Sequence, residues 1–163
     1  MADSITLRPV SAGDEEFLYR VYASTRQEEL ASLPWTEEQK AGFLRMQFEA
    51  QRRHYSEHFP DAAFLVIVRD GHPAGRLYVD RRPASIRIID IALLPEHRRA
   101  GIGTALIADL LAEGAREGKP VNLHVEHFNP AMRLYERLGF RRIEDTGVYY
   151  VLEWPPGAAG ARA

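Results

Sequence analysis

Apolar positions recur along this chain with different spacings, and each spacing predicts a different element. Ile5 and Leu7 alternate with polar neighbours up to Arg8-Pro9, which predicts a short strand ended by proline. Ser11 stands where a helix cap is expected, ahead of Phe17, Leu18 and Val21. Thr36-Glu37-Glu38-Gln39 puts a hydroxyl and a glutamine at the spacing of a capping box. Ala41, Leu44, Phe48 and Tyr55 follow near helical spacing, so one long amphipathic helix is predicted to about His58. Phe64 to Val68 and Arg76 to Val79 are β-rich runs joined across Asp70-Gly71-His72-Pro73, which predicts a hairpin.

The middle of the chain is more apolar. Ile86 to Leu94 is too hydrophobic for a strand with one wet face, so it belongs near the centre of a sheet, and Pro95 stops it. From Gly101, the stripe Ile102, Leu106, Ile107, Leu110 and Leu111 lies opposite Asp109, Glu113, Arg116 and Glu117, and Gly118-Lys119-Pro120 ends that helix. Val121, Leu123 and Val125 then alternate with Asn122, His124 and Glu126. A strand, a helix and a half-buried strand in succession predict a right-handed parallel crossover. Asn129 before Pro130 predicts a capped helix with proline at its first position, running through Tyr135 to Gly139. Ile143 and Val148 to Trp154 predict one or two closing strands. With no repeat and no long linker, one domain over residues 1–154 is expected. Residues 155–163 have nothing to bury and are expected to form a loose tail.

Composition narrows the classes. A length of 163 residues suits one domain, and 45% apolar with 27% charged residues excludes a disordered, collagen-like or coiled-coil chain. Lys plus Arg number 21 against 23 Asp plus Glu, a net charge of −2, so the basic excess that grips nucleic acid is missing and no nucleic-acid partner is expected. The absence of cysteine excludes disulfides, thiolate metal sites and an acyl-cysteine route. Ala62 to Val68, the longest apolar run, is too short to cross a bilayer, and Met1-Ala2-Asp3-Ser4 lacks an export pattern. The expected compartment is therefore the cytoplasm, without a membrane partner. His54 and His58 are four apart on a predicted helix, but no third ligand follows at a recognisable spacing, so no metal is expected.

The chemistry concentrates where the apolar strand ends. Leu93-Leu94-Pro95-Glu96-His97-Arg98-Arg99-Ala100-Gly101-Ile102-Gly103-Thr104 carries two arginines and two glycines into the start of a helix. Free backbone N–H groups and the positive end of the helix dipole make that turn an anion cradle suited to a diphosphate. A dinucleotide fold would need a small residue where Leu106 stands, and no Gly-Lys-Ser or Gly-Lys-Thr of a P-loop occurs.

Arg98-Arg99-Ala100-Gly101-Ile102-Gly103 resembles the Arg/Gln-x-x-Gly-x-Gly/Ala signature of the GNAT N-acetyltransferase superfamily. Asn129-Pro130-Ala131-Met132-Arg133-Leu134-Tyr135-Glu136-Arg137-Leu138-Gly139-Phe140 is similar to that family's second stretch. Two departures stand out: Arg99 occupies a place often held by glycine, and the segment from Asn129 to Tyr135 is one residue shorter than the commonest version. The resemblance implies a mixed α/β fold with a single central sheet of six to seven strands, mostly antiparallel with a splayed parallel pair, flanked by about four helices. It implies acetyl-coenzyme A as co-substrate, held by Arg98, Arg99, Ala100, Gly101, Ile102, Gly103 and Thr104 with Asn129, and a primary amine acceptor, small molecule or peptide, that attacks directly. The amide of Leu93 or Leu94 would receive the thioester oxygen, and Tyr135 would give the leaving sulfur its proton. Asp90 and Glu126 are the candidate bases, with His124 and His127 as further candidates. The segment Tyr22 to Phe59, including Glu28, Glu29, Trp35 and Tyr55, and the C-terminal hairpin would wall the acceptor cleft. The family allows a homodimer, although no residue here demands one. The rival readings are an acyl-CoA-binding sensor or interaction module without turnover, and a dinucleotide-dependent oxidoreductase, against which Leu106 argues.

Overall fold

A computed structural model describes residues 3–157; residues 1–2 and the end of the expected tail, 158–163, lie outside the described residues. The elements run β1 (Ile5–Pro9), α1 (Glu15–Ala31), α2 (Glu37–His58), β2 (Ala63–Arg69), β3 (His72–Arg81), β4 (Ile86–Leu93), α3 (Ile102–Glu117), β5 (Val121–Glu126), α4 (Met132–Arg137), β6 (Arg141–Asp145) and β7 (Tyr149–Trp154). The seven strands are hydrogen-bonded in the order β1-β2-β3-β4-β5-β7-β6. The sheet is mostly antiparallel, with β4 and β5 as the parallel pair, so the mixed α/β class expected from the resemblance holds. By its internal contacts the chain divides into two compact units, Met1–Leu77 with Ile91–Ala100, and Tyr78–Asp90 with Gly101–Ala163.

In the first unit, β1 runs antiparallel to β2, with Ile5 opposite Arg69 and Pro9 opposite Leu65. The capping box forms as the spacing requires. Gln39 N donates to the Thr36 hydroxyl at 3.1 Å, and Thr36 N donates to Gln39 Oε1 at 2.9 Å. Leu18, Tyr22 and Leu30 of α1 bury against Leu44 and Phe48 of α2, the apolar stripe of each helix facing the other. Asp14 precedes α1 and is buried. Arg8 donates to both of its oxygens, at 2.8 and 2.9 Å, and Ser11 N donates at 2.8 Å. These donors, Arg8 first, hold the Asp14 carboxyl far below the usual carboxylate range. A depressed pKa contributes stability above the unfolded value and loses it as pH falls below that. Asp14→Asn is therefore expected to lower stability by about 1–2 kcal/mol near neutral pH, and the gap to wild type should narrow steadily below about pH 4. Urea midpoints of the two proteins along a pH series check this, and a gap that stays constant into strong acid contradicts it.

The hairpin at Asp70-Gly71 has positive φ at both residues, 49° and 83°, as a tight turn requires. Its second strand, His72–Arg81, is longer than the expected Arg76 to Val79, since it takes in His72 and Pro73, expected in the turn, and the charged Asp80; Ala74 to Asp80 are all buried. Burial is tolerated because both charges are hydrogen-bonded: Arg76 donates to Gln51 Oε1 at 3.0 Å, and Asp80 accepts from Arg82 Nε at 2.8 Å.

In the second unit α3 buries Ile102, Leu106, Ile107, Leu110 and Leu111, the stripe expected from the sequence. β5 pairs with β7 from Val121 opposite Trp154 to Glu126 opposite Tyr149. α4 departs from expectation by starting at Met132, after Pro130. The Asn129 side-chain oxygen accepts from Ala131 N at 2.8 Å and Asn129 O accepts from Met132 N at 3.1 Å, so a closed turn precedes the helix and contains the proline. No helix of the described residues is long and apolar enough to cross a membrane.

Candidate functional site

The end of β4 and the residues that follow it lie in the first unit. Leu94 N donates to Ala74 O at 2.9 Å, and Leu93 O accepts from Arg98 Nε at 2.9 Å, so the peptide between Leu93 and Leu94 is held at both edges. Of the two amides named from the sequence, that of Leu94 is committed to β3. The Leu93 amide points the other way. A Cβ built on Gly75 would come within 2.2 Å of Ala92 O, so that oxygen faces β3, and a trans peptide sends the Leu93 N–H to the opposite edge. Arg98 also donates from Nη2 to Ser24 Oγ at 3.2 Å. Exposed Arg99 makes no hydrogen bond or ion pair among the described residues.

Arg99 has φ 62°, in the left-handed region, which explains why glycine suits this place. The conformation costs an L-residue about 1–2 kcal/mol. Arg99→Gly is expected to raise stability by about 1 kcal/mol while weakening affinity for a diphosphate ligand. Thermal melts with and without that ligand separate the two effects, and a variant that melts lower than wild type without ligand contradicts the strain argument.

The start of α3 lies in the second unit. Gly101, with φ 77°, is its N-cap and supplies no side-chain hydrogen bond. The first turn of α3 carries no acidic residue, whereas α1 begins with Glu15 and Glu16 and α2 with Glu37 and Glu38. Ala105 N donates to Gly101 O at 3.0 Å, and the N–H groups of Ile102, Gly103 and Thr104, which precede that bond, are directed out of the helix. They lie at the positive end of a sixteen-residue dipole with no carboxylate of their own to neutralise it, an arrangement that accepts an anion. β4 and β5 pair only from Ile86–Val121 to Ile88–Leu123. Beyond Ile88 the parallel pairing stops while β5 continues along β7.

Tyr135 of α4 is buried, with its ring edge-on to Phe140 at 5.9 Å. Burial and then the charge of Asp90 push the phenol up to about 12, so it keeps its proton throughout the neutral range. Asp90 is half-buried and close enough to act on Tyr135 electrostatically, whereas Glu126 is exposed at the end of β5. His124 receives Arg87 Nη2 on Nδ1 at 3.1 Å. Because a guanidinium only donates, that nitrogen carries the lone pair and Nε2 carries the proton. Burial, and then Arg87, hold its pKa below the usual histidine value, and its one basic nitrogen is already engaged. His127 Nε2 lies 2.7 Å from Asp145 Oδ1 and its ring packs on Tyr150 at 4.4 Å.

Among the expected wall residues, Glu28 and Glu29 are exposed, Glu29 pairing with Arg26 at 3.2 Å, and Trp35 packs edge-on against Phe43 at 5.2 Å. Tyr55 packs edge-on against Phe59 at 6.3 Å. His54 and His58 stack at 4.1 Å, and no group of three metal-ligand side chains occurs among the described residues. The sequence reading missed Ser24, Ala74 and Gly75. Only Gly75 left a signal there, since glycine inside a β-run marks a close backbone approach.

Comparison with known proteins adds independent findings. The model of the Acetyltransferase (GNAT) family matches residues 18–140. The chain is 47% identical over 97 residues to the human Cysteine-rich protein 2-binding protein, an alignment of 59% of this chain but 12% of that protein's length. It is 32% identical over 105 residues to an N-alpha-acetyltransferase of Sulfurisphaera tokodaii, covering 55% of this chain and 63% of that one. In fold it is similar to the crystal structure of the PaiA N-acetyltransferase from Thermoplasma acidophilum in complex with coenzyme A. The TM-score is 0.70 at 21% identity over 93% of this chain and 99% of that one.

Proposed function

This chain belongs to the GNAT acetyltransferase family, and on that premise we propose that it moves an acetyl group from acetyl-coenzyme A to a primary amine, by direct attack and without a covalent enzyme intermediate. The observation that carries the reading is the start of α3, where three outward N–H groups meet a helix dipole with no acid in the first turn. Those amides, with the exposed charge of Arg99, hold the diphosphate, and Asn129 steadies the pantetheine arm with its remaining amide N–H groups. The structurally similar Thermoplasma enzyme is bound to coenzyme A, which supports the ligand class.

Bound acetyl-coenzyme A supplies an activated thioester. The Leu93 N–H receives the carbonyl oxygen as it gains charge, a contribution on the order of 3 kcal/mol for one well-aimed donor. The acceptor arrives mainly as an ammonium and must lose a proton before it can attack; Asp90 takes it, in preference to Glu126, because Asp90 is half-buried beside the proton donor. As the C–N bond forms and the C–S bond breaks, Tyr135 delivers its proton to the departing sulfur and regains one from the acylated nitrogen, which sheds its second proton on becoming an amide; burial keeps the phenol protonated and ready for this step. The alkaline end of the rate profile is therefore set by a group other than Tyr135. The S. tokodaii relative brings peptide N-termini into the acceptor class beside small amines.

The test combines binding and turnover. Coenzyme A at about one hundred times its dissociation constant should add roughly 2.7 kcal/mol of stability, and NAD none. Acetyl-coenzyme A with a panel of peptide N-termini and small primary amines should release free thiol. Stabilisation by NAD and not by coenzyme A rejects the reading, and binding without thiol release across the panel favours an acyl-CoA sensor.

A further inference from the structure

Two arginines precede the glycines of the turn, and their side chains have different surroundings. Arg99 is exposed with no protein partner, whereas Arg98 is engaged at two points within its own unit. Its Nε donates to Leu93 O at 2.9 Å and its Nη2 to Ser24 Oγ at 3.2 Å. The Ser24 hydroxyl spends its own proton on Val21 O at 2.7 Å, so its oxygen is a true acceptor toward Arg98. A continuous chain of hydrogen bonds thus runs from the α1 backbone through Ser24 and Arg98 to Leu93.

Its target matters. Leu93 lies between two peptide groups whose orientations are each restrained. The one before it abuts Gly75 through Ala92 O, and the one after it is held by Arg98 on the oxygen and by Ala74 on the nitrogen. Fixing both planes leaves the Leu93 N–H one direction. Resting on the acyl-transfer reading above, we infer that Arg98 is a positioning residue: braced on Ser24, it clamps the Leu93 carbonyl and so aims the Leu93 amide at the substrate oxygen, while the diphosphate takes its side-chain charge from Arg99. An arginine is required because a planar guanidinium can donate to two acceptors in fixed directions, which an ammonium on a flexible stem does not reproduce.

The experiment compares Arg98→Ala, Arg98→Lys, Ser24→Ala and Arg99→Ala. In the ligand-free protein, amide exchange at Leu94, normalised to the core amides of Val66 and Ile67, should speed up about tenfold in both Arg98 variants, by less in Ser24→Ala, and not at all in Arg99→Ala. Affinity for coenzyme A should stay within about twofold in the Arg98 variants and fall about tenfold in Arg99→Ala. Turnover by the Arg98 variants should drop about tenfold with acetyl-coenzyme A and equally with acetyl-pantetheine, which lacks the diphosphate. Unchanged exchange at Leu94 in Arg98→Ala overturns the inference. So does a loss of coenzyme A affinity that Arg98→Lys restores while acetyl-pantetheine turnover stays normal. Wild-type protein that releases no thiol with any amine removes the acyl-transfer reading alone, since the exchange result needs no ligand.

Discussion

Replacing Tyr135 with phenylalanine is expected to leave coenzyme A affinity within about twofold of wild type and to lower kcat on the order of a hundredfold, the usual contribution of a positioned general acid. The ring stays, so its packing on Phe140 survives and the loss is confined to one proton donor. Because the phenol is raised to about 12 by burial and by Asp90, wild-type turnover should show no decline from tyrosine ionisation across the neutral and mildly alkaline range. The same shift has a sign in stability. A group whose folded pKa exceeds its unfolded value of about 10 stabilises fully below about pH 10 and loses that contribution as pH climbs toward 12. Tyr135→Phe should abolish this alkaline component of the melting curve. Normal kcat in Tyr135→Phe would remove the assigned acid, whatever the binding result.

The second large effect is structural. Gly75→Ala places a methyl group within 2.2 Å of Ala92 O and 2.9 Å of Leu93 Cδ2. The first neighbour is backbone, so a strand must shift, and the expected cost is about 3 kcal/mol, or roughly 6–12 °C in Tm. The displaced peptide is the one that carries the Leu93 N–H, so turnover per folded molecule should fall as well. Melting together with active-site-normalised kcat checks both parts. A variant that melts like wild type contradicts the close approach of the two backbones, and one that melts lower with normal kcat separates Leu93 from the reaction.

Much of the fold was legible in the sequence because it follows from local chemistry. The Thr36 capping box, the Asp70-Gly71 turn and the apolar stripe of α3 each lie where a short stretch of residues satisfies its own backbone or presents one face. The resemblance carried by residues 98–103 and 129–140 agrees with the family match over 18–140. What misled local reading was polar groups whose hydrogen bonds form only in the folded chain. Pro73 and Asp80 made the ten-residue β3 look like a strand of Arg76 to Val79, and the Asx turn at Asn129 moved the start of α4 past the proline.

The sequence by itself determined most of the elements, among them the capped start of α2, the Asp70-Gly71 turn and the apolar stripe of α3, since each depends on residues within a few positions of one another. Only the tertiary structure decided which amide at the end of β4 is engaged, which arginine is braced and which histidine nitrogen holds its proton. Those outcomes rest on partners far away in the chain: Ala74 for Leu94, Ser24 for Arg98, Arg87 for His124. A hydrogen bond has one donor and a limited number of lone pairs, so which group is left to meet a substrate is settled only when folding brings the competing acceptors within about 3 Å.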